Sequence, residues 1–288
     1  MTYTEPAYAK LNLSLDILRR RDDGYHDMRM VMHSIDLSDT VSLTPRNDAD
    51  LVLSCNAAFL PCDDSNIAAK AVHRFFETTG LDRQGFSVQL EKRIPVCAGM
   101  AGGSSDGAAV LRLLKKLHTP QMPQEELEKI AALVGSDVPY CVRGGTALAE
   151  GRGEILTDLS PLPDCFFVVC KPPFPISTPE LFAQVRAKKL RCHPDTEGMI
   201  RALNEGDLAG VAHRVYNVFE DLLPRKFAQV FEIKSKLLDL GAMSASMTGS
   251  GPTVFGMFRD ENKAQIAAEE LKKQYSATFL CRNAAKPV

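Results

Sequence analysis

A regular alternation of apolar and polar residues marks the first element of the chain. Ala9, Leu11, Leu13, Leu15 and Ile17 are apolar, and the residues between them are Lys10, Asn12, Ser14 and Asp16. A period of two is typical of a β-strand with one face in the core. The pattern therefore predicts a half-buried strand over residues 8–17, with Lys10 and Asn12 on its polar face.

The rest of the first half reads as further strands and amphipathic helices. Strands are predicted at residues 30–37, 40–43, 51–55 and 86–91, and shorter ones at 147–150 and 154–156. An apolar stripe with helical spacing predicts a helix that Ser65 caps and that ends at Thr79, before Gly80. Two more helices are predicted, one ending at Leu117 and one over residues 124–134.

A segment with two prolines, residues 159–164, reads as a linker between two domains, 1–160 and 161–288. After it, strands are predicted at residues 165–170, 242–247, 253–258 and 277–280. Helices are predicted at residues 178–188, 195–203, 207–219, 224–240 and 261–274. Without the inserted helices this order is β-α-β-β-α-β, a split βαβ arrangement.

Composition narrows the class of protein. The 288 residues include 45% hydrophobic and 24% charged residues, and the net charge is −2. This composition is ordinary for a globular protein, and the charge favours neither nucleic acid nor a membrane as partner. The N-terminus lacks the basic start and apolar block of a signal peptide. Eight scattered cysteines without a C-x-x-C pair indicate free thiols and a cytoplasmic protein.

Residues 95–109, P-V-C-A-G-M-A-G-G-S-S-D-G-A-A, form a glycine-rich loop between a predicted strand and a predicted helix. Such a loop lets backbone N–H groups approach a phosphate, and a helix N-terminus behind it adds donors. The loop lacks the lysine of the P-loop and does not fit G-x-G-x-x-G. Ser104 and Ser105 offer N-cap side chains and hydroxyls for phosphate or Mg²⁺. A purely structural turn is the alternative.

Three other segments carry candidate chemistry, each with a structural alternative. Residues 247–253, M-T-G-S-G-P-T, are either a second phosphate loop or a tight hairpin. Asp137 follows Gly135 and is either a helix cap or a general base. Lys10 is either a solvated charge or the partner of that carboxylate. Tyr25 and His26 lie in an Asp-Gly turn, which is an ordinary hairpin tip or a platform for a planar ring.

The order of these motifs resembles that of the GHMP kinase superfamily, which includes galactokinase, homoserine kinase and mevalonate kinase. Residues 95–109 resemble its second motif, and residues 247–253 resemble its third. The resemblance implies an α+β, two-domain fold. Its N-terminal α/β domain would be ribosomal-protein-S5-like, and its C-terminal domain ferredoxin-like.

Within the superfamily, A-K-L-N-L at 9–13, D-G-Y-H at 23–26 and G-S-D-V-P at 135–139 are similar to one branch. That branch phosphorylates the 2-hydroxyl of a cytidine-diphosphate-linked methylerythritol in the non-mevalonate isoprenoid pathway. The resemblance implies ATP as donor, Mg²⁺ bridging its phosphates, Asp137 as base and Lys10 as its electrostatic partner.

The resemblance also implies the binding residues. Those implied for substrate are Asn12, Tyr25, His26, Asp137, Thr178 and Phe182. Those implied for ATP are Pro95, Val96, Cys97, Ala98, Gly99, Met100, Ala101, Gly102, Gly103, Ser104 and Ser105, with Asn66 near the adenine. No residue is assigned as a metal ligand, and a monomer or homodimer is expected.

Two residues depart from the family pattern. Gly107 stands where alanine is usual, so the start of the helix is expected to be weaker by up to ~1 kcal/mol. Asp106 stands where some members have asparagine. A homoserine- or mevalonate-type kinase is the alternative enzyme, and it would not need Tyr25 and His26. A catalytically dead nucleotide sensor or RNA-associated protein is the alternative class, which the net charge and the presence of Lys10 and Asp137 oppose.

Overall fold

The computed structural model describes residues 1–185, 190 and 192–287. The strands are β1 (Tyr3–Arg20), β2 (His26–Pro45), β3 (Leu51–Cys55), β4 (Phe86–Glu91), β5 (Thr146–Gly151), β6 (Ile155–Asp158), β7 (Phe166–Cys170), β8 (Tyr216–Asn217), β9 (Ser244–Met247), β10 (Val254–Phe258) and β11 (Thr278–Arg282). The α-helices are α1 (Ile67–Thr79), α2 (Gly102–His118), α3 (Gln124–Val134), α4 (Val138–Arg143), α5 (Thr178–Ala183), α6 (Thr196–Asn204), α7 (Leu208–His213), α8 (Ala228–Asp239) and α9 (Glu261–Lys272).

A long antiparallel hairpin of β1 and β2 is the centre of the first sheet, whose order is β3-β4-β2-β1-β8. The first part of β2 also pairs with β5, and its last part with β4. The strands predicted at 30–37 and 40–43 are therefore one strand. The pairing of β2 with β1 shifts register between Tyr8 and Ala9 and then continues, so no turn separates the two parts.

The prediction that β1 is half-buried is wrong, because both of its faces are buried between Ala9 and Ile17. Lys10, Asn12, Ser14 and Asp16 are all 5% exposed or less. The second half of the chain covers this region. For example, β8 pairs with β1 at Ser14 and Leu15. The polar alternation thus marks an internal polar layer and not a solvated surface.

The second sheet is antiparallel throughout, with the order β11-β7-β10-β9. The connection from β7 to β9 contains α5, α6, α7 and β8 as an insertion and ends with α8. Helix α9 connects β10 to β11. This is the predicted β-α-β-β-α-β order, and the predicted α+β class is confirmed. The division at residue 160 stays a prediction, because β8 lies beyond it and pairs with the first sheet.

Three of the inserted helices differ from their predicted bounds by several residues. The helix predicted over 224–240 is α8, which follows a 3-10 helix over Arg225–Phe227. The helix predicted over 207–219 ends at His213, because β8 and a 3-10 helix over Val218–Leu222 replace its second part. In that part the side chain of Asn217 accepts a hydrogen bond from the N–H of Phe219, which favours a turn over a continuing helix. The helix predicted over 178–188 is observed as α5, and residues 186–188 lie outside the described residues.

Two helix starts also differ from prediction. Asn66, not Ser65, caps α1, since its Oδ1 accepts the N–H of Ala68 at 2.9 Å. Helix α2 begins at Gly102 with Ala101 as N-cap and no side-chain cap, so Ser104 and Ser105 lie inside the helix. All eight cysteines are free, as predicted. Of the helices in the described ranges, none is long and apolar enough to cross a membrane.

Gly107 is the sixth residue of α2, not part of its start, and it allows α2 to lie close to α1. A Cβ on Gly107 would be 2.8 Å from Cγ2 of Ile67, the first residue of α1. Carbon atoms this close repel strongly, and a β-branched side chain has few ways to move. The glycine is therefore a packing requirement that outweighs its low helix propensity.

We expect Gly107→Ala to lower the free energy of unfolding by about 1 kcal/mol, because overpacking exceeds the gain in helix propensity. Urea denaturation measures this change. In an Ile67→Ala background, which removes Cγ2, the same substitution should be neutral or stabilising by up to ~1 kcal/mol. Stabilisation by Gly107→Ala in the wild-type background would contradict the packing role.

Candidate active site

A large cleft of about 1280 Å³ opens between the β1–β2 hairpin, the glycine loop, α5 and residues 249–251. Lys10 and Asp137 line it, together with Tyr25 and His26. A small pocket of about 520 Å³ adjoins it on the other side of the glycine loop. The small pocket is lined by residues 94–104, Asn66 and Lys92 among others. The glycine loop is thus a shared wall between two cavities.

The glycine loop is held in a conformation that requires several positive φ angles. Gly99 has φ +73°, and two non-glycine residues, Cys97 and Ala101, have φ 52° and 58°. Its last residues lead directly into α2, whose first N–H groups have no partner within the helix. A partly exposed loop of this kind before a 17-residue helix has the backbone geometry that suits an anion.

The residues predicted to bind ATP are placed by the structure on the wall of the small pocket, with two qualifications. Ser105 lies behind the wall and is buried, and its hydroxyl donates to the carbonyl oxygen of Tyr8 at 2.5 Å. Asn66 lines the pocket, but its side chain is occupied. Its Nδ2 donates to the carbonyl oxygen of Pro61 at 2.7 Å, and its Oδ1 caps α1.

Lys10 and Asp137 line the large cleft, and Asn12 lies behind Lys10, fully buried and lining neither cavity. Lys10 Nζ donates to Asn12 Oδ1 at 2.6 Å and lies 3.8 Å from Asp137 Oδ2. The side chain of Lys10 is 5% exposed, so Lys10 is not a solvated charge, and that of Asp137 is 34% exposed. Asp137 occupies the N-cap position of α4 but makes no capping hydrogen bond. Its carboxylate is therefore available to a ligand in the cleft.

The second glycine segment, residues 247–253, contacts the first one directly. A Cβ on Gly99 would lie 2.3 Å from the carbonyl oxygen of Thr248, and one on Gly249 would lie 2.7 Å from that of Gly99. Thr248 Oγ1 also accepts the backbone N–H of Asn12 at 3.0 Å. Both glycine segments therefore meet at the middle of β1, beside Lys10.

Asn217 supports the second glycine segment and was missed by the sequence analysis. Its Nδ2 donates to the carbonyl oxygens of Met247 at 2.7 Å and Gly249 at 2.9 Å. The residue is almost fully buried, and buried carbonyl groups need such donors. No local signal marks Asn217, since its partners lie about 30 residues further along the chain.

The aromatic residues of the predicted ring platform are close together at one end of the large cleft. The rings of His26 and Phe182 stack with centroids 5.2 Å apart, and Phe182 packs edge-on against Phe219. Burial and the nearby Arg20 lower the pKa of His26, so its imidazole is neutral at pH 7. Tyr25 is exposed, and the guanidinium of Arg152 lies over its ring.

Thr178, also predicted to contact substrate, lies at the start of α5 and lines both cavities. Its hydroxyl is 2.6 Å from that of Ser250 in the second glycine segment. Phe182 follows one turn later on the same helix. Helix α5 thus joins the second glycine segment to the aromatic end of the cleft.

A buried ionic group that the sequence analysis did not find lies beside the small pocket. Lys92 Nζ contacts the carboxylates of both Asp39 and Asp106, the second at 2.5 Å. Burial and the charge of Asp39 raise the pKa of Asp106 to about 7. Lys92 follows strand β4 in an ordinary charged stretch, so no spacing in the sequence identifies it.

The residues present fit a magnesium ion that is held mostly by phosphate oxygens. No cluster of three or more His, Cys, Asp or Glu side chains occurs within the described part of the chain. Asp137 is the only carboxylate among the described residues that line the large cleft. One carboxylate together with nucleotide phosphates is a common arrangement for Mg²⁺.

Comparison with known proteins identifies the family. Residues 66–145 match the model of the GHMP kinases N terminal domain, and residues 199–277 match that of the GHMP kinases C terminal. The 4-diphosphocytidyl-2-C-methyl-D-erythritol kinases of Clostridium kluyveri and Clostridium beijerinckii are each 41% identical over 276 residues. Each alignment covers 96% of this chain and 98% of the relative.

The chain belongs to the GHMP kinases, in the family of 4-diphosphocytidyl-2-C-methyl-D-erythritol kinases. A crystal structure of 4-(cytidine 5'-diphospho)-2C-methyl-D-erythritol kinase matches with TM-score 0.83 and 30% identity. That match covers 98% of this chain and all of the other. A homoserine kinase from Cytophaga hutchinsonii matches with TM-score 0.76 over 99% of this chain and 95% of its own, but at 18% identity. This second likeness shows the fold alone.

Membership of this family makes the protein a kinase and favours the main interpretation over a homoserine- or mevalonate-type enzyme. It also disfavours the dead nucleotide sensor and the RNA-associated protein. The predicted roles of individual site residues stay predictions; in the structure Lys10 contacts both Asn12 and Asp137.

We expect Asn217→Ala to loosen the second glycine segment, because two buried carbonyl groups lose their donor. The free energy of unfolding should fall by about 1–3 kcal/mol. Turnover in an ADP-release assay should fall as well, at a temperature where the variant is folded. Asn204→Ala is the matched control, since Asn204 makes an exposed hydrogen bond to Ser160. Wild-type stability and turnover in Asn217→Ala would contradict this role.

Proposed function

We propose that this protein transfers the γ-phosphoryl group of ATP to the 2-hydroxyl of 4-diphosphocytidyl-2-C-methyl-D-erythritol, in the non-mevalonate isoprenoid pathway. The observation that supports it most is the place of the Lys10–Asp137 pair. The pair lies at the floor of the large cleft, between the glycine loop on one side and Tyr25 and His26 on the other. A donor and an acceptor bound at these two sides would meet at Asp137.

Asp137 is the proposed general base. Its carboxylate is exposed to the cleft and free of capping bonds, so it can accept the proton of the acceptor hydroxyl. Lys10 holds a positive charge 3.8 Å from this carboxylate, where it stabilises developing negative charge. Asn12 Oδ1 accepts a hydrogen bond from Lys10 Nζ and so holds the ammonium in place. Lys10 and Asp137 are thereby fixed where the acceptor hydroxyl is proposed to bind.

ATP, when bound with Mg²⁺, supplies the phosphoryl group and neutralises part of its charge. Residues 95–104 are proposed to wrap its phosphates with backbone N–H groups, helped by the N-terminus of α2. A bound Mg²⁺ would be held mostly by the phosphate oxygens, and Asp137 is the carboxylate of the large cleft that would add a ligand. Asn66 is proposed to shape the adenine end of the small pocket, because its side chain donates a hydrogen bond to the carbonyl oxygen of Pro61 in the loop before α1.

The cytosine is proposed to bind at Tyr25, His26 and Phe182, with Asn12 and Thr178 nearer the reacting end. His26, kept neutral by its lowered pKa, offers one donor and one acceptor nitrogen to a base. Because His26 and Phe182 stack on each other, a base that enters between them must separate the two rings. We further propose a cytoplasmic enzyme that is a monomer or homodimer.

A coupled ADP-release assay tests this function. ADP should form with ATP and 4-diphosphocytidyl-2-C-methyl-D-erythritol, and the organic product should carry one new phosphate monoester by ³¹P NMR. Homoserine and mevalonate should give no ADP above background. Turnover of either alternative alcohol at a comparable kcat/KM would overturn the proposal.

Replacement of the proposed base should separate chemistry from binding. Asp137→Ala should lower kcat by at least ~10²-fold, the scale of general-base loss, and leave the affinity for ATP nearly unchanged. Steady-state kinetics and nucleotide titration measure the two quantities. Asp82→Asn, at an exposed position outside the cleft, is the control variant. Near-wild-type turnover in Asp137→Ala would rule out its role as base.

A further inference from the structure

Arg152 lies in the short turn between β5 and β6, and this turn spans two parts of the large cleft. At one end, the guanidinium carbon of Arg152 is 5.1 Å from the centre of the Tyr25 ring. At the other end, a Cβ on Gly153 would be 4.0 Å from Asp137 Oδ1. The turn therefore runs from the surroundings of the proposed base to the Tyr25 ring, where the guanidinium of Arg152 lies.

The guanidinium of Arg152 is weakly engaged by the protein itself. The nearest carboxylate is that of Glu154, 3.9 Å from Nε. Glu154 Oε2 is instead bound by the backbone N–H of Arg152 at 2.6 Å. Within the described residues, the guanidinium donates no hydrogen bond, although it lines the cleft. By contrast, Arg19 and Arg21 on the neighbouring hairpin both donate to Asp27.

An arginine side chain in this state has donors available for an anionic ligand. Its planar fork matches two oxygens of a phosphate group, and such charge-assisted bonds are among the stronger hydrogen bonds. Arg20 lines the same end of the cleft and adds positive charge there. In the proposed acceptor, the diphosphate connects the cytidine to the polyol, so it would pass between Tyr25 and Asp137.

We propose that Arg152 binds the diphosphate of the acceptor and so selects a nucleotide-linked alcohol over a free alcohol. This inference rests on the proposed function. It adds a specificity-determining residue whose cation lies over the Tyr25 ring, in the turn that also passes Asp137. A purely structural role would be different, since Arg152 would then only hold the Tyr25 ring by a cation–π contact.

Binding of cytidine, CMP and CDP separates these two roles, because the three probes differ only in their phosphates. Isothermal titration calorimetry on the full-length protein would compare wild type with Arg152→Gln and Arg152→Lys. Arg19→Gln is the matched control, because Arg19 is an exposed arginine of the adjacent hairpin that does not line the cleft. Titration with ADP confirms that each variant is folded.

In wild type, CDP should bind more tightly than cytidine. In Arg152→Gln, the affinity for CDP should fall by about 10- to 100-fold, and the affinity for cytidine should stay the same. Arg152→Lys should retain part of the preference, because it keeps the charge but loses the fork. In steady-state kinetics, Arg152→Gln should raise the acceptor KM and leave the KM for ATP unchanged.

Two outcomes would overturn the proposal. If Arg152→Gln keeps the wild-type preference for CDP over cytidine, Arg152 does not bind the diphosphate. If cytidine binding weakens as much as CDP binding, Arg152 acts by holding the Tyr25 ring. Failure of wild type to bind any of the three cytidine compounds would instead contradict the proposed function itself.

Discussion

Burial of the polar face of β1 is the constraint on which the rest of the site depends. A lysine ammonium and an asparagine amide inside a protein are costly unless every polar atom finds a partner. Lys10 Nζ meets Asn12 Oδ1 and Asp137, and the backbone N–H of Asn12 donates to Thr248 Oγ1. The backbone N–H of Lys10 donates to the carbonyl oxygen of Met100. The hydrogen bonds that Lys10 and Asn12 need therefore bring both glycine segments and α4 to the same part of β1.

The close approach of the two glycine segments follows from this constraint. At Gly99 and Gly249 a Cβ atom would collide with the backbone of the opposite segment, so the two segments can touch only as glycines. Asn217 then donates to the carbonyl oxygens of Met247 and Gly249 in the second segment. The glycine loop that this contact holds is the wall shared by the large cleft and the small pocket, and Asp137 lies on the side of the large cleft.

The bounds of two elements were predicted to the residue, whereas β1 was predicted over 8–17 and is observed over Tyr3–Arg20, and its burial was not predicted. Strand β4 and helix α3 have the predicted bounds because their alternating and helical patterns are uninterrupted. For β1, the pattern reports the polarity of each residue but not what covers it, so a polar interior layer looked like a solvated face.

The motif residues Lys10, Asn12 and Asp137 were found by resemblance, and the structure places them together. Asn217 and Lys92 act through partners that are distant in sequence or irregularly spaced, and no local pattern indicates them.

A double-mutant cycle on kcat between Thr248 and Lys10 tests most directly whether the buried polar layer acts as one unit. Thr248→Val removes the hydroxyl that contacts Asn12, at constant shape, and Lys10→Met removes the ammonium that Asn12 holds. If Thr248 acts through Asn12 on Lys10, Thr248→Val should lower kcat by roughly tenfold in wild type and have no further effect in Lys10→Met. The same fold reduction in both backgrounds would contradict the central claim that the second glycine segment positions Lys10.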